Sequence, residues 1–295
     1  LKKHIIEIFS YPLIVVIYLV SILPLSLLYR ISWILFFFLY YITGYRKKVV
    51  YDNLARSFPG KSKKELLEIR YKFYRHLSNV CVEVIKLLTI SQNELKNRCS
   101  FSREAKKIIN GYFSSNVPVI IVLGHYGNWE WSGSSFYSNF HKNLLTAYRP
   151  IKNRVFNRLM IKLRSSFGII IKSRNELPRA MFSLRNKVYA TALIADQTPS
   201  PSNAHWVKFL NQDTPVFKGT AKLSQMYNYP LIFCSTRLKK RGYYEIHARL
   251  VTSRPKDYDE YTLTSLHTKM LEEEIKNAPE LWLWSHKRWK HKIPR

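Results

Sequence analysis

The chain has 295 residues, 46% of them hydrophobic, which is ample for a real core in one large domain or two small ones and too apolar for wholesale disorder. Its 48 Lys and Arg against 19 Asp and Glu leave a net charge of +29, more than solubility needs, so an anionic partner is expected: nucleic acid, a membrane surface, a phosphorylated substrate or an acidic protein. Cys81, Cys99 and Cys234 are widely spaced, odd in number and without a CxxC pair, which argues against a disulfide framework and a structural zinc site. In chain order, residues 8–29 carry no charge and would measure about 33 Å as a helix, close to the thickness of a bilayer's hydrocarbon, although Pro12 and Pro24 interrupt a straight span. A second uncharged stretch, residues 31–45, holds Trp33, Phe36, Phe37, Phe38, Tyr40 and Tyr41, rings that settle at a membrane interface. Arg46, Lys47 and Lys48 close the apolar region and should stay on the cytoplasmic side. No small-residue cleavage site is evident, so residues 1–45 are expected to be a retained anchor, either one span plus an interfacial helix or a shallow hairpin, ahead of a single domain over 46–295.

Ser62 and Glu65 have capping-box spacing, and Leu66, Ile69, Phe73, Leu77, Val80, Val84 and Leu88 predict a helix running to about residue 88. Arg70, Lys72 and Arg75 fall on its other face, expected to be solvated. Beyond residue 117, apolar β-rich runs at 117–123, 144–148, 168–172, 188–195, 231–238 and 243–251 alternate with helical stretches at 129–140, 153–166, 176–185, 218–227 and 258–277. That alternation predicts an α/β fold with a largely parallel central sheet flanked by helices. His125, Arg149 and Asp196 all follow predicted strands, and the carboxyl ends of such strands are where chemistry gathers.

The segment Gly124-His125-Tyr126-Gly127-Asn128-Trp129-Glu130 carries the densest chemistry. Residues five apart lie about 140° around a continuous helix and roughly 17 Å apart in a strand, so His125 and Glu130 touch only if the chain folds back. The two glycines permit a sharp turn and Asn128 is a plausible N-cap for a new helix. Glu130 could then orient the imidazole, leaving its other ring nitrogen as a base for a hydroxyl. Backbone N–H groups near Gly127 and Asn128 could stabilise an oxyanion. A strand-to-helix turn with a surface histidine is the competing reading. Two of the three members of a nucleophilic triad would be present, with the substrate hydroxyl supplying the nucleophile.

This heptad resembles the His-x4-Asp/Glu motif of glycerolipid acyltransferases, and more specifically the lauroyl/myristoyl acyltransferase family of lipid A biosynthesis. Ordered matches extend over nearly the whole chain: Asn53-Leu54 with Phe58-Pro59 after the anchor, Tyr148-Arg149-Pro150, Ala195-Asp196-Gln197, and the closing segment from Pro279 through Trp282, Trp284, His286, Arg288 and Trp289 to Lys290. The resemblance implies transfer of a fatty acyl group from acyl carrier protein to a hydroxyl of a phosphorylated lipid A precursor at the inner membrane, with the catalytic domain on its cytoplasmic side. It implies no cofactor or metal and no nucleic acid. His125 would be the base and Glu130 its partner; Arg149 would bind phosphate or steady the site, and Asp196 would support it. Arg174, Lys208, Lys218, Arg237, Lys239, Lys240 and Arg241 are candidate phosphate or carrier contacts, with Arg174 and Lys218 placed at the substrate. The segment from Thr198 to Phe209 departs from the family's glycine-containing, Phe-rich pattern, which leaves acceptor and acyl-chain preference open. An acyl-CoA donor or another bacterial glycolipid or aminolipid acceptor is the alternative. A non-enzymatic basic membrane or nucleic-acid binding protein would explain the charge but not the heptad. A metal hydrolase would need a third ligand and a pattern such as His-Glu-x-x-His.

Overall fold

The computed structural model describes residues 2–151 and 153–292. Its central strand sends Val119 and Ile121 into one buried cluster and Ile120 and Val122 into another, so the sheet is apolar on both faces and must be covered on both. The strands are β1 (Cys99–Phe101), β2 (Val119–Leu123), β3 (Leu144–Tyr148), β4 (Ile169–Ser173), β5 (Ala190–Ile194), β6 (Ala204–Phe209), β7 (Gln212–Phe217), β8 (Leu231–Lys240) and β9 (Tyr243–Thr252). Seven form one sheet in the order β1-β9-β8-β2-β5-β3-β4, parallel at every pairing except the β8–β9 hairpin. The α/β class with a largely parallel sheet, expected from the alternation of runs, is therefore the one observed. β6 and β7 form a separate antiparallel hairpin, whose first strand closes the segment that departs from the family pattern. Leu210 and Asn211, both at positive φ, make its two-residue turn.

The helices are α1 (Lys2–Ile22), α2 (Leu25–Phe37), which continues into a π-helical turn (Phe38–Ile42), α3 (Lys47–Ser57), α4 (Lys63–Lys86), α5 (Gln92–Arg98), α6 (Arg103–Ser114), α7 (Trp129–Ser134), α8 (Phe136–Phe140), α9 (Arg154–Ser165), α10 (Leu177–Ser183), α11 (Gly219–Tyr227) and α12 (Glu260–Asn277). The capping box at Ser62 and Glu65 is formed in full and starts α4. The single helix expected over 129–140 is broken at Ser135 into α7 and α8. Ser132, Ser135 and Ser138 each turn a hydroxyl back onto a carbonyl three or four residues earlier, which competes with regular helix bonding.

The apolar N-terminal segment packs along α4. Leu25, Leu28, Ser32 and Phe36 of α2 are buried in that contact. Leu27, Trp33, Ile34 and Phe37, with Phe38, Tyr41 and Ile42 beyond them, remain exposed, as do Leu13, Val16, Leu19 and Ile22 on α1. The stretch Leu25–Ile42 is long and apolar enough to cross a membrane. The inner side of the helix pair is polar where it meets the body. Lys86 Nζ donates to the carbonyls of Ser21 and Leu23 at 3.0 Å each, and Ser32 donates to Asn79 at 2.8 Å. Arg241, at the β8–β9 turn, donates to the Tyr29 carbonyl, the Ser32 hydroxyl and Asn79. The α4 face expected to be solvated is only partly so: Lys72 is exposed, but Arg75 lies over the Trp33 ring and Arg70 reaches the Tyr40 hydroxyl, because α2 and its π-turn cover that side.

Arg241→Met is expected to remove these charged hydrogen bonds and lower stability by about 2 kcal/mol. Denaturant unfolding in detergent, combined with limited proteolysis of residues 10–45, would register the loosened helix pair.

Candidate active site

The turn after β2 is shaped by Gly127, whose φ of +63° belongs to the left-handed region. A Cβ there would lie 2.2 Å from the Thr236 carbonyl oxygen, so no other residue fits. The backbone around it is pinned on two sides. On one, the C-terminal segment pairs with it: Gly127 N–H donates to the Leu281 carbonyl at 3.0 Å, Leu283 N–H donates to the His125 carbonyl at 3.1 Å, and Tyr126 bridges to Trp282. On the other, His76 of α4 lies 3.2 Å from the Gly127 carbonyl through Nε2. Burial pushes the His76 pKa down to about 4, so the ring is neutral and its N–H donates. Asn128 N-caps α7, its Oδ1 accepting from Trp131 N–H at 2.9 Å, while its Nδ2 donates to the buried Glu83 carboxylate at 2.7 Å.

His125 and Asp196 meet because β2 and β5 are parallel neighbours with Leu123 opposite Ile194, and each side chain stands two residues beyond that pair. Asp196 takes the His125 backbone N–H on Oδ2 at 2.7 Å and the ring Nδ1 on Oδ1 at 2.6 Å. The Trp282 indole N–H adds a third bond to Oδ2 at 2.8 Å. Burial works against charge on both partners. For Asp196 the imidazole and the N–H donors win, holding the carboxyl at about 2. For His125 burial lowers the pKa, but the Asp196 charge and hydrogen bond, helped by the Glu130 charge, outweigh it and leave the ring above 6.5. With Nδ1–H given to Asp196, Nε2 carries the free lone pair. The Gln197 side-chain amide lies 3.3 Å from Nε2, and the Trp129 ring stands edge-on to the imidazole at 5.1 Å.

The expected His125–Glu130 contact is replaced. Helix α7 begins at Trp129, which turns Glu130 toward α9, where Arg164 holds both carboxylate oxygens at 3.0 and 2.5 Å. Asp196, expected only to support the site, makes the hydrogen bond that orients the ring. Gly127 N–H is committed to Leu281, so of the two backbone groups expected at an oxyanion only that of Asn128 is left. The Asn128 side chain is used entirely for capping and for Glu83. Arg149 is exposed where β3 ends, on the far side of β5 from His125. Arg174 is exposed with its guanidinium over the Phe217 ring, and Lys218 is half-buried at the start of α11. Glu83, Arg164, Gln197 and Trp282 were not singled out as site residues. Glu83 had one signal: it falls three residues after Val80 on the buried side of α4. Asn53, part of the family-like segment after the anchor, donates to the carbonyls of Trp284 and His286 and so fastens the closing segment. The thiols of Cys99 and Cys234 are pushed up to about 12 by burial, and that of Cys81 to about 11. That leaves them poor nucleophiles.

Replacing Asp196 with Asn removes the main charge that raises His125 and leaves only the weaker Glu130 charge against burial. The ring is expected to titrate above 6.5 in the parent protein and below 6.5 in Asp196→Asn, read from its carbon-bound proton signals by NMR.

The family model for bacterial lipid A biosynthesis acyltransferase matches residues 2–291. The chain is similar to a lipid A biosynthesis palmitoleoyltransferase of Escherichia coli (strain K12), at 22% identity over 248 residues, covering 83% of this chain and 79% of the relative. It is equally similar, at 22% identity over the same extent, to a lipid A biosynthesis acyltransferase of Shigella flexneri. With a family match running from the apolar helices through the His125–Asp196 pair to the closing tryptophans, the chain belongs to the bacterial lipid A biosynthesis acyltransferase family.

Proposed function

We propose that this acyltransferase moves a fatty acyl chain directly from the thioester of acyl carrier protein to a hydroxyl of a phosphorylated lipid A precursor, at the cytoplasmic face of the inner membrane. The observation that carries the reading is the buried His125–Asp196 pair, with Nδ1 held at 2.6 Å and Nε2 left as a base at the sheet's carboxyl edge. In this scheme the acceptor hydroxyl displaces Gln197 from Nε2. The imidazole takes the hydroxyl proton as the oxygen attacks the thioester carbonyl. The oxyanion that forms is met by the Asn128 backbone N–H. As the C–S bond breaks, the imidazolium returns the proton to the departing thiolate, so no acyl-enzyme is required.

Asp196 stabilises the imidazolium without becoming protonated, since its carboxyl is held at about 2. Glu130 and Arg164 form a second charged pair beside the base, in which Glu130 adds negative potential at His125 and fixes the guanidinium. Arg149, Arg174 and Lys218 are proposed contacts for the acceptor's phosphate, and the wider cationic excess suits anionic headgroups and an acidic carrier. The exposed apolar sides of α1 and α2 would be taken up by lipid, in keeping with the uncharged, aromatic-rich sequence there.

His125→Ala is expected to lower acyl transfer by roughly 10²–10⁴-fold while the protein stays in the membrane fraction. The assay uses the full chain in vesicles, labelled acyl carrier protein or acyl-CoA as donor, and a lipid A precursor as acceptor. Undiminished transfer would overturn the assignment of the base, and transfer from acyl-CoA alone would overturn the donor. Because the base must be neutral, the rate should rise with pH as His125 loses its proton, with an acid limb above 6.5. Mass spectrometry of lipid A from cells lacking the protein should show one acyl chain missing.

A further inference from the structure

The Glu83 side chain is fully buried between helix α2 and the catalytic turn, a position no step of the acyl transfer uses. Three donors from three different elements converge on it. Tyr29 of α2 donates to Oε1 at 2.9 Å; Asn128 of the turn and Tyr244 of β9 each donate to Oε2 at 2.7 Å. Its backbone carbonyl takes the Trp131 indole N–H at 2.8 Å, so the same residue also holds the first turn of α7. Burial outweighs these hydrogen bonds and the Arg241 charge and leaves the Glu83 carboxyl above its ordinary range.

The decisive partner is Asn128. Its amide has two ends, one capping α7 and the other donating to Glu83, so it cannot rotate without breaking one of the two bonds. Asn128 follows Gly127 directly, and its backbone N–H is the one left for the oxyanion. On the other side, Tyr29 belongs to the helix whose outer surface is apolar and exposed, and its backbone carbonyl is fixed by Arg241. A continuous chain of hydrogen bonds therefore runs from the lipid-facing helix to the catalytic turn: Tyr29, Glu83, Asn128, Trp131 N–H.

We propose that Glu83 is a positioning residue for acyl transfer, which orients the catalytic turn through Asn128 and, through Tyr29, makes that orientation depend on the seating of helix α2. The inference rests on the assignment of His125 as base. A carboxylate suits this position because all three groups that reach it are donors. A glutamine there keeps only one acceptor oxygen: with its NH2 on the Oε2 side it sets donor against donor at Asn128, and with its NH2 on the Oε1 side it needs the Tyr29 hydroxyl to turn acceptor.

The test exchanges the roles of the two groups. In the full chain, reconstituted in phosphatidylethanolamine/phosphatidylglycerol vesicles, kcat and KM are measured for the parent, Glu83→Gln, Asn128→Asp and the reciprocal pair Glu83→Gln with Asn128→Asp, alongside thermal unfolding. The pair restores an amide–carboxylate hydrogen bond with donor and acceptor reversed, and Asp remains a good N-cap. Each single variant should lose about 100-fold in kcat with KM little changed, and the pair should recover to within about threefold of the parent. Tyr29→Phe should lose about threefold to tenfold in the parent background and nothing further in Glu83→Gln. Losses that simply multiply in the pair, or a folded pair still reduced by about 30-fold or more, would overturn the role of Glu83. If a single variant does not fold, the pair is compared with the parent alone, and a folded pair reduced by about 30-fold or more still overturns the role. His125→Ala is run in parallel: inactivity there with multiplied losses in the pair leaves the base standing and removes only Glu83, whereas retained activity removes both.

Discussion

Parallel pairing of β2 with β5, Leu123 opposite Ile194, is the constraint on which the site depends. It delivers a histidine and an aspartate 71 residues apart in sequence to adjacent positions at one sheet edge. Neither charge would survive there alone. A buried carboxylate is costly unless its lone pairs are satisfied, and Asp196 has a backbone N–H, a ring nitrogen and an indole N–H around it. The tautomer of the imidazole follows from that arrangement: one nitrogen is committed to Asp196, the other lies beside the Gln197 amide. The sheet thereby supplies both position and protonation state.

Around this pair the turn is held by α4 rather than by its own residues. His76 supports the Gly127 carbonyl, Glu83 the Asn128 amide and the Trp131 ring. The same helix also carries α2 and α1 on its outer side. It is therefore the structural link between the apolar segment and the sheet edge that carries His125, and this accounts for why so much of its second half is buried, including residues that are polar. Stripes of apolar spacing describe a helix covered on one face. They fail for one that is enclosed on two.

The sheet was legible because parallel strands covered on both faces appear as short, mostly apolar runs between helical stretches, and β2, β3, β4 and β5 each fall within about two residues of their expected bounds. The short β1 gave no comparable run, and the β6–β7 hairpin lay in a segment with several turn residues and a proline inside the second strand. Within the site, the heptad, Arg149 and Asp196 were recognisable from strand-end position and resemblance. The carboxylate in contact with the His125 ring is Asp196, whereas the spacing points to Glu130. Sequence spacing makes Glu130 the near candidate, but whether a side chain five residues away folds back depends on where the next helix starts. Here Trp129 starts it, and Glu130 points instead to Arg164 on α9. Contacts such as Arg164–Glu130, Trp282–Asp196 and Glu83–Asn128 join residues from 34 to 86 positions apart, and no local pattern in a single chain announces them.

The closing segment has a consequence for the order in which the protein becomes active. Trp282 bonds Asp196, Leu281 and Leu283 clamp the backbone on either side of Tyr126, and Asn53 and Arg46 in turn fasten the carbonyls of Trp284, Ser285 and His286. The turn that presents His125 is thus finished by residues that leave the ribosome more than a hundred positions after it. Before they arrive, the apolar helices, α4 and most of the sheet are already made, but Asp196 lacks its indole donor and the turn lacks one of its two walls. Synthesis itself imposes a sequence of events: the apolar helices and most of the sheet emerge first, and the wall that completes the His125 turn emerges last.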